Sequence, residues 1–340
     1  MNEKKETVSI EYGKPRMTFR RFILNYNIYI IFLLLCIISV YVSPLFLRFN
    51  NVINILRQQC VYITIGMGLL LVMVTGGIDL SVTSTATIGC IMVTHIVVTK
   101  NFNTGWGMIF AVLSALAVCS LVGSISGALV ALMKMPPFVV TLAMGFGGQG
   151  LAYLICNGAA LRLDFRNPAA IAFTTFGQRS DPLLGIPYQV YLVAALVIII
   201  SLIMKYTSYG RLTLAIGSNE NAVTAAGIDI RKYKFIAYTA SGFLAGLAGV
   251  LIVAGNGSSS PLTSSADFTM VAIAGTVIGG TNLQGGEGSA VKSVFGILVI
   301  GIIGNIMNLT NVPPYPQMIV RAVLIILAVF LRSVTSRREA

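Results

Sequence analysis

Charged side chains are scarce in this sequence of 340 residues. Only 10% of the residues are Asp, Glu, Lys or Arg, whereas 56% are hydrophobic, and the mean hydropathy is +0.86. Soluble globular domains carry about 25% charged residues, so this chain lacks the charge to cover a soluble globule. The composition indicates a membrane protein with at most roughly a dozen spans, since each crossing takes about 20 apolar residues.

Patterns for metal and nucleotide binding are also missing. The five cysteines show no C-x-x-C or Cys/His ligand spacing and mostly lie in apolar runs, so the sequence predicts neither disulfides nor a metal site. The glycine-rich stretch 285–293 is not a phosphate loop, because Val291 stands before Lys292 where that motif needs a glycine. Any nucleotide hydrolysis that powers the protein must therefore come from another polypeptide. The chain itself is predicted to be neither an enzyme nor the binder of a cofactor.

Acidic and histidine side chains are nearly absent from the apolar runs, with Asp79, His95 and Asp267 as exceptions. Proton- and sodium-driven carriers display ionisable groups at mid-membrane, and a membrane-embedded transferase would need clustered acids, His or Arg. Neither pattern is present, which disfavours both classes. The net charge of +12 comes from scattered basic residues rather than from a patch with interleaved aromatics, so nucleic acid is not an expected partner.

Ten long apolar runs are present instead, and they predict an all-α polytopic membrane protein. A cytoplasmic N-terminal arm at 1–21 would precede the transmembrane region at 22–333, and a cytoplasmic tail at 334–340 would follow it. The eighth run is short and has glycine-rich neighbours, so it is either a full span or a broken, partly re-entrant helix. The predicted helices cover residues 22–46, 56–77, 80–99, 106–133, 137–157, 186–206, 233–255, 265–280, 288–309 and 315–332.

The distribution of Lys and Arg predicts the orientation. With ten spans, the side that carries both termini holds these residues in an excess of roughly two to one, which places the termini in the cytoplasm of a bacterial inner membrane. The first run is too long for a signal-peptide core and lacks a cleavage site, so it should remain as a helix. The segment 157–187 then faces outside, either as a solvated loop or as a segment that carries a short helix or contacts a partner.

The position of Asp79 requires an explanation, because this carboxylate lies between two apolar runs. A carboxylate in hydrocarbon costs at least about 2.5–3.5 kcal/mol. Gly76 and Gly77 can form a tight turn, in which Asp79 would cap the next helix by accepting hydrogen bonds from the amides near Ser81 and Val82. Direct contact with a transported solute is the alternative.

A polar segment at 208–234 is the largest break on the predicted cytoplasmic side. Asn219 or Ser218 can cap a short helix, Glu220 suits the positive end of its dipole, and Gly227 can close it. The alanines between them make the helix slim, and the basic residues at 231–234 would hold its end at the membrane surface. This shape predicts a mechanical coupler that enters a groove on a soluble partner.

Four segments together resemble one family, the membrane permeases of ribose-type monosaccharide ABC importers. They are Gly-Gly-Ile-Asp-Leu-Ser-Val at 76–82, the Gly-Arg…Ala-Ile-Gly-Ser-Asn-Glu…Ala-Ala-Gly-Ile segment at 210–228, the stretch from Val277 to Gly286, and Tyr-Pro-Gln-Met-Ile-Val at 315–320. These segments extend from the second predicted helix to the last. The resemblance therefore covers most of the chain.

The resemblance implies one transmembrane half of an importer that moves a ribose-like pentose or a hexose by alternating access. Its partners would be a second permease copy or a paralogue, an external substrate-binding protein, membrane lipid and a cytoplasmic ATPase that holds ATP and Mg. An importer for another small solute, such as a nucleoside, a sugar-like signalling molecule or a branched amino acid, is the alternative. By analogy with ABC importers, the helix in the ATPase cleft would be formed by Gly217, Asn219, Glu220, Ala225, Ala226 and Gly227.

Polar side chains inside the predicted helices are candidates for the sugar pathway. Gln149, Thr276, Asn305 and Asn308 could hydrogen-bond sugar hydroxyls in transit, or they could satisfy neighbouring helices. A neutral sugar needs only weak, replaceable hydrogen bonds along its path. The sequence therefore need not display a strong binding site.

Overall fold

The fold is described from a computed structural model, which covers residues 19–99, 104–262 and 266–336. Within these ranges the chain forms helices and one pair of very short strands, which confirms the helical fold class. The helices are α1 (Phe19–Val42), α2 (Phe49–Met73), α3 (Val82–Thr99), α4 (Gly105–Ala131), α5 (Pro137–Cys156), α6 (Pro168–Gln178), α7 (Tyr188–Tyr206), α8 (Ser208–Ser218), α9 (Glu220–Ala225), α10 (Ile230–Asn256), α11 (Ala266–Ile278), α12 (Ala290–Leu309) and α13 (Pro314–Ser336); the strands are β1 (Leu161–Arg162) and β2 (Ser258–Ser259).

Each predicted apolar run overlaps one helix, namely α1–α5, α7 and α10–α13. Among the described residues, six helices are long and apolar enough to cross a membrane: α2, α4, α5, α7, α10 and α12. The helix α11 is continuous over its 13 residues. Residues 1–18 of the predicted N-terminal arm and 337–340 of the predicted tail lie outside the described residues.

The predicted boundaries of the second helix, 56 and 77, are wrong. α2 begins at Phe49, because Asn51 in its first turn finds a partner inside the bundle and exchanges hydrogen bonds with Asn305. It ends at Met73, where the chain turns and Gly76 adopts φ +80°, a left-handed conformation that glycine takes without strain.

The helix α10 lies at the centre of the bundle and packs against α2, α3 and α4. Small residues allow the backbones of α4 and α10 to approach closely. A Cβ atom on Gly123 would lie 2.4 Å from the Tyr238 carbonyl oxygen, and one on Gly242 would lie 2.4 Å from the Cys119 carbonyl oxygen. These contacts confirm that the spaced small residues serve helix packing.

One end of α10 is joined to the segment 157–187. β1 pairs antiparallel with β2, which follows α10 directly, with Leu161 opposite Ser259. Of the two alternatives for this segment, the structure has the short helix: α6 begins at Pro168 and is capped by Asn167, whose Oδ1 accepts from the Ala169 amide at 2.9 Å. The end of α10 with the β1–β2 pair is therefore opposite to the end that follows α9.

Candidate coupling site

Two short helices form the polar segment at 208–234. α9 is capped by Asn219, whose Oδ1 accepts a hydrogen bond from the Ala222 amide at 3.0 Å. Asn219 is thus the cap, and Ser218 is the last residue of the preceding helix α8. α9 is closed by Gly227 at φ +80°, whose amide donates to the Thr224 carbonyl at 2.9 Å.

The surface of α9 is small and open. Glu220, Ala225, Ala226 and Gly227 are all exposed, and Val223, 8% exposed, anchors the helix to the protein. A Cβ atom on Gly227 would meet no atom within 4 Å. The segment therefore presents a slender protrusion with free space around it.

An ion pair fastens this protrusion to α10. Lys234 Nζ lies 2.6 Å from Glu220 Oε2, and their side chains are 19% and 48% exposed. Lys234 is in the second turn of α10, whose start is capped by Asp229 through a 3.1 Å hydrogen bond from the Arg231 amide. Within the predicted basic cluster, Lys234 therefore holds α9, whereas Arg231 and Lys232 are exposed.

Gly217 lies in α8 rather than in α9, and it touches two distant segments through its backbone. A Cβ atom at Gly217 would lie 2.1 Å from the Val74 carbonyl oxygen and 2.3 Å from the Gly286 amide nitrogen. The Gly286 amide in turn donates to the Val74 carbonyl at 3.1 Å, and Gly285 packs on Gly76. We call this contact of three chain segments the glycine junction; its members are Val74, Gly76, Gly217, Gly285 and Gly286.

An aromatic pair also joins α8 to α10. The rings of Tyr209 and Tyr233 are stacked with centroids 6.0 Å apart. Burial raises the pKa of the Tyr209 phenol above its ordinary value, because the phenolate would lose its hydration. The stack holds α8 against the bundle while α9 remains open.

Beneath the glycine junction, Asp79 is 1% exposed. Its Oδ1 accepts from the Ser81 amide at 3.0 Å and from the Ser81 hydroxyl at 2.6 Å, and its Oδ2 accepts from the Ser241 hydroxyl at 2.7 Å. Tyr238, one turn before Ser241 on α10, donates to the Ile78 carbonyl at 3.4 Å. These bonds fix Asp79 in the turn before α3 and favour a structural role over direct contact with a solute. Because α3 begins at Val82, the residue directly before the helix is Ser81 rather than Asp79.

Ser241 and Tyr238 were missed by sequence reasoning. Both lie within an apolar helix and more than 150 residues away from the turn that they hold, since the separations are 162 and 160 residues. The available signal was their position beside Gly242, where helix backbones come close together. Two polar side chains at a close helix contact, facing an unpaired carboxylate elsewhere in the sequence, are candidate partners.

The four candidate pathway residues lie in different surroundings. Thr276 is fully buried and donates to the Ala272 carbonyl of its own helix at 2.7 Å. Asn305 exchanges hydrogen bonds with Asn51, and Asn308 Oδ1 accepts from Gln317 Nε2 at 2.8 Å. Both asparagines border a cavity of only 60 Å³.

Gln149 borders a larger groove, of 290 Å³, between α5, α11 and the start of α3. Its Nε2 donates to the Pro261 carbonyl at 2.6 Å. The groove also contains the hydroxyls of Thr83, Ser84 and Thr269, and those of Thr83 and Thr269 contact each other. We call it the hydroxyl groove; it is lined by Leu80, Thr83, Ser84, Leu142, Gly145, Phe146, Gln149, Thr269 and Met270.

The family of the chain follows from its likeness to known proteins. Residues 51–329 match the model of a family described as the permease component of branched-chain amino acid transport systems. The chain belongs to this family. The match runs from the start of α2 almost to the end of α13, so it includes the candidate coupling site, the glycine junction and the hydroxyl groove.

Curated relatives of the chain include permeases of sugar importers. The chain is 35% identical to the ribose import permease protein of Escherichia coli K12, over 87% of this chain and 89% of the relative. It is 31% identical to the L-arabinose transport system permease protein of the same strain, over 93% and 92%. The fructose import permease protein of Bifidobacterium longum is 32% identical over 74% and 68%. These relatives confirm the resemblance to monosaccharide permeases, and no solved structure matches the chain.

Proposed function

We propose that this chain is the membrane permease subunit of an ATP-driven importer, and that it moves a monosaccharide into the cytoplasm. The observation that carries the proposal is the likeness, over most of the chain, to import permeases for ribose, arabinose and fructose. These are three different monosaccharides. A neutral sugar as solute also agrees with the hydroxyl groove, which carries Thr, Ser and Gln side chains among apolar ones.

The energy would come from a separate cytoplasmic ATPase that binds ATP and Mg. We propose that α9 enters a cleft of this subunit, with Asn219, Glu220, Ala225, Ala226 and Gly227 at the contact and Gly217 behind it. The exposure of α9 and its small side chains support this role. A helix of only six residues, held by one cap, one ion pair and the buried Val223 side chain, can follow the movement of a partner without unfolding the bundle.

Two physical connections would carry that movement to the solute pathway. The first runs from Glu220 through Lys234 into α10, whose Tyr238 and Ser241 hold the turn at Ile78 and Asp79. The second is the glycine junction, where α8 touches the end of α2 directly. The first connection would end at the turn before α3, whose Leu80, Thr83 and Ser84 line the hydroxyl groove. The second would end at Val74 and Gly76, where the same turn begins.

The assembly would contain ten spans per chain with both termini in the cytoplasm, which agrees with the ten helices that overlap the apolar runs. A second permease copy, identical or paralogous, would close the hydroxyl groove, where Leu142, Phe146 and Met270 are exposed. An external substrate-binding protein would deliver sugar to the opposite face, at the segment that contains α6 and β1.

Uptake into proteoliposomes tests this function. The chain is reconstituted with its ATPase and binding protein, and the accumulation of labelled D-ribose, L-arabinose and D-fructose is followed with and without internal ATP. We expect at least one sugar to accumulate only with ATP. Accumulation by the chain alone, driven by an ion gradient, would overturn the proposal.

A second candidate solute is a branched-chain amino acid, which the description of the matched family favours. Labelled L-leucine in the same proteoliposomes decides between the two. ATP-dependent uptake of leucine without uptake of any of the three sugars would replace the sugar proposal with this one.

A further inference from the structure

A cavity of 520 Å³ lies beside α9, between the turn that joins α4 to α5 and the start of α10. Its volume is within the roughly 300–1,000 Å³ found for small-molecule sites. Its described lining shares no residue with the hydroxyl groove. We call it the basic cavity; its charged lining consists of Lys134, Glu220, Asp229, Arg231 and Lys234.

Two basic side chains of this cavity are free to bind a ligand. Lys134 and Arg231 line it and are exposed, and neither makes an ion pair or a side-chain hydrogen bond within the described part of the chain. Lys234 is instead neutralised by Glu220 at 2.6 Å. The two free cations face one further carboxylate, that of Asp229, whose Oδ1 already accepts from the Arg231 amide at 3.1 Å. The remaining charge of the lining is therefore positive and attracts an anion.

The backbone fixes the turn that carries Lys134. Just before it, the Met133 amide donates to the Ala128 carbonyl at 3.2 Å. Just after it, the Met135 amide donates to the Leu129 carbonyl at 3.2 Å. Lys134 itself has φ +55°, a left-handed conformation that glycine adopts without strain and lysine does not. The lysine thus brings a cation to a turn for which glycine would be the easier residue.

Exposed apolar side chains on α4 lead to the same turn. Leu121, Ile125 and Leu132 are all exposed, and their spacing of four and seven residues places them on one face of the helix. Met133, directly before Lys134, is exposed as well. Because α4 is long and apolar enough to cross a membrane, this face is suited to acyl chains. Cations and an apolar face therefore lie side by side.

An anionic phospholipid matches both features. Its phosphate oxygens accept hydrogen bonds from an ammonium group and, in bidentate form, from a guanidinium group. Its acyl chains cover apolar surface, and basic pockets between membrane helices bind such headgroups. A free phosphate, or an acidic loop of a soluble partner, would satisfy the cations alone and leave the apolar face of α4 uncovered.

We propose that the basic cavity binds the headgroup of an anionic phospholipid. Its phosphate contacts Lys134 and Arg231, while an acyl chain lies along Leu121, Ile125 and Leu132. Only the leaflet depends on the proposed function, which places this end of the bundle in the cytoplasm. The lipid ties the turn after α4 to the start of α10, beside the ion pair that holds α9. The lipid composition of the membrane would thus act on the segment proposed to meet the ATPase.

Binding of labelled phosphatidylglycerol to the purified full chain in an uncharged detergent, at physiological salt, tests the site. We expect saturable binding that cardiolipin competes with and phosphatidylcholine does not. Neither inorganic phosphate nor the ATPase subunit should displace the lipid. Displacement by phosphate would assign the cations to a free anion, and displacement by the ATPase would assign the cavity to that partner; either result would overturn the proposal.

Two variants remove the cations one at a time. Lys134→Gly and Arg231→Gln should each weaken lipid binding by about fivefold to tenfold, the contribution of one basic residue near an anionic headgroup. Lys134→Gly also relieves the left-handed backbone, so its melting temperature should not fall below that of the wild type. Misfolding then cannot explain its loss of binding. Lys134→Arg keeps the charge and should bind like the wild type.

Lys232→Gln is the matched control, because Lys232 is exposed next to Arg231 but is not part of the cavity lining. It should bind like the wild type, since an exposed charge outside the site is screened by salt. Unchanged binding in both Lys134→Gly and Arg231→Gln, or an equal loss in Lys232→Gln, would overturn the site. The experiment involves neither sugar nor ATP, so its failure leaves the importer function intact, and absence of ATP-driven uptake would contradict the importer without affecting the lipid site.

Discussion

Asn219 and Asp79 each hold a turn that precedes a helix, one at the open surface and one in the middle of the bundle. Asn219 is exposed, and its side chain accepts one hydrogen bond, from the Ala222 amide. Asp79 is 1% exposed and accepts three, one of them from Ser241 on a distant helix. The two turns therefore differ in how strongly the rest of the chain holds them. The surface turn leaves its neighbours free to bind a partner, whereas the buried turn is held by the chain itself.

Asp79→Ala should have the largest effect. The substitution leaves the hydroxyls of Ser81 and Ser241 without their acceptor in a buried place, and each such loss costs about 1–3 kcal/mol. We expect a clear decrease in the melting temperature of the purified chain and loss of ATP-driven uptake. Asp79→Asn keeps one acceptor oxygen, so its melting temperature should lie between those of the wild type and Asp79→Ala. If Asp79→Ala had the melting temperature of the wild type, the buried turn would contribute no more to the stability of the chain than the surface turn.

Gly217→Ala should weaken the coupling between ATP hydrolysis and sugar uptake. It should destabilise the chain less than Asp79→Ala does. The added methyl group would collide with the Val74 carbonyl oxygen and the Gly286 amide, so the glycine junction has to open. We expect about a fivefold to hundredfold decrease in sugar uptake per ATP hydrolysed, because overpacking of this kind costs about 1–3 kcal/mol and so lowers the population in which the junction is closed. The measurement is the ratio of uptake to ATPase rate in proteoliposomes.

Gly147→Ala is the control for Gly217→Ala, since a Cβ atom at Gly147 would meet nothing within 4 Å inside α5. Its uptake should equal that of the wild type. If Gly217→Ala and Gly147→Ala had the same ratio of uptake to ATPase rate, the backbone contact of α8 would not transmit movement from the ATPase to the solute pathway.

Asn219→Ala should weaken the surface turn by about 1 kcal/mol, the usual loss for a missing helix cap. Since α9 is short and exposed, the melting temperature of the whole chain should change little. We expect weaker binding of the ATPase, measured by co-purification over a range of detergent-solubilised subunit concentrations. Asn219→Asp should restore binding, because a carboxylate can accept from the same Ala222 amide.

The smallest effect should come from the ion pair. Glu220→Lys breaks it and places two cations together, and exposed pairs of this kind contribute about 0–1 kcal/mol. The double variant Glu220→Lys with Lys234→Glu re-forms the pair and should recover uptake in part, more at low than at high salt. Equal activity of the single and double variants would show that the pair does not hold α9.

Much of the bundle could be predicted, because about 20 apolar residues are needed for each crossing and such runs are visible in the sequence. The cap at Asn219, the closing Gly227 and the turn at Asp79 were also predictable, since capping acts between residues close in sequence. The first turns of α2 were not, because Asn51 looks like a loop residue until Asn305 is beside it.

Contacts between distant segments were beyond prediction from one sequence. Nothing in the sequence shows that Gly217 touches two other backbones, whereas a Cβ atom on Gly227 would meet no atom within 4 Å. Likewise, Thr83 and Thr269 meet across 186 residues, so the hydroxyl groove could not be assembled beforehand from its parts. Propensity and hydropathy act locally, whereas these sites arise from the packing of helices.

The glycine junction joins α2, α8 and the segment before α12 through main-chain atoms alone. Because peptide groups are the same in every protein, the contacts of this junction do not depend on which solute is transported. Under the proposed function, the ATPase would therefore move this junction in the same way whichever sugar the hydroxyl groove accepts.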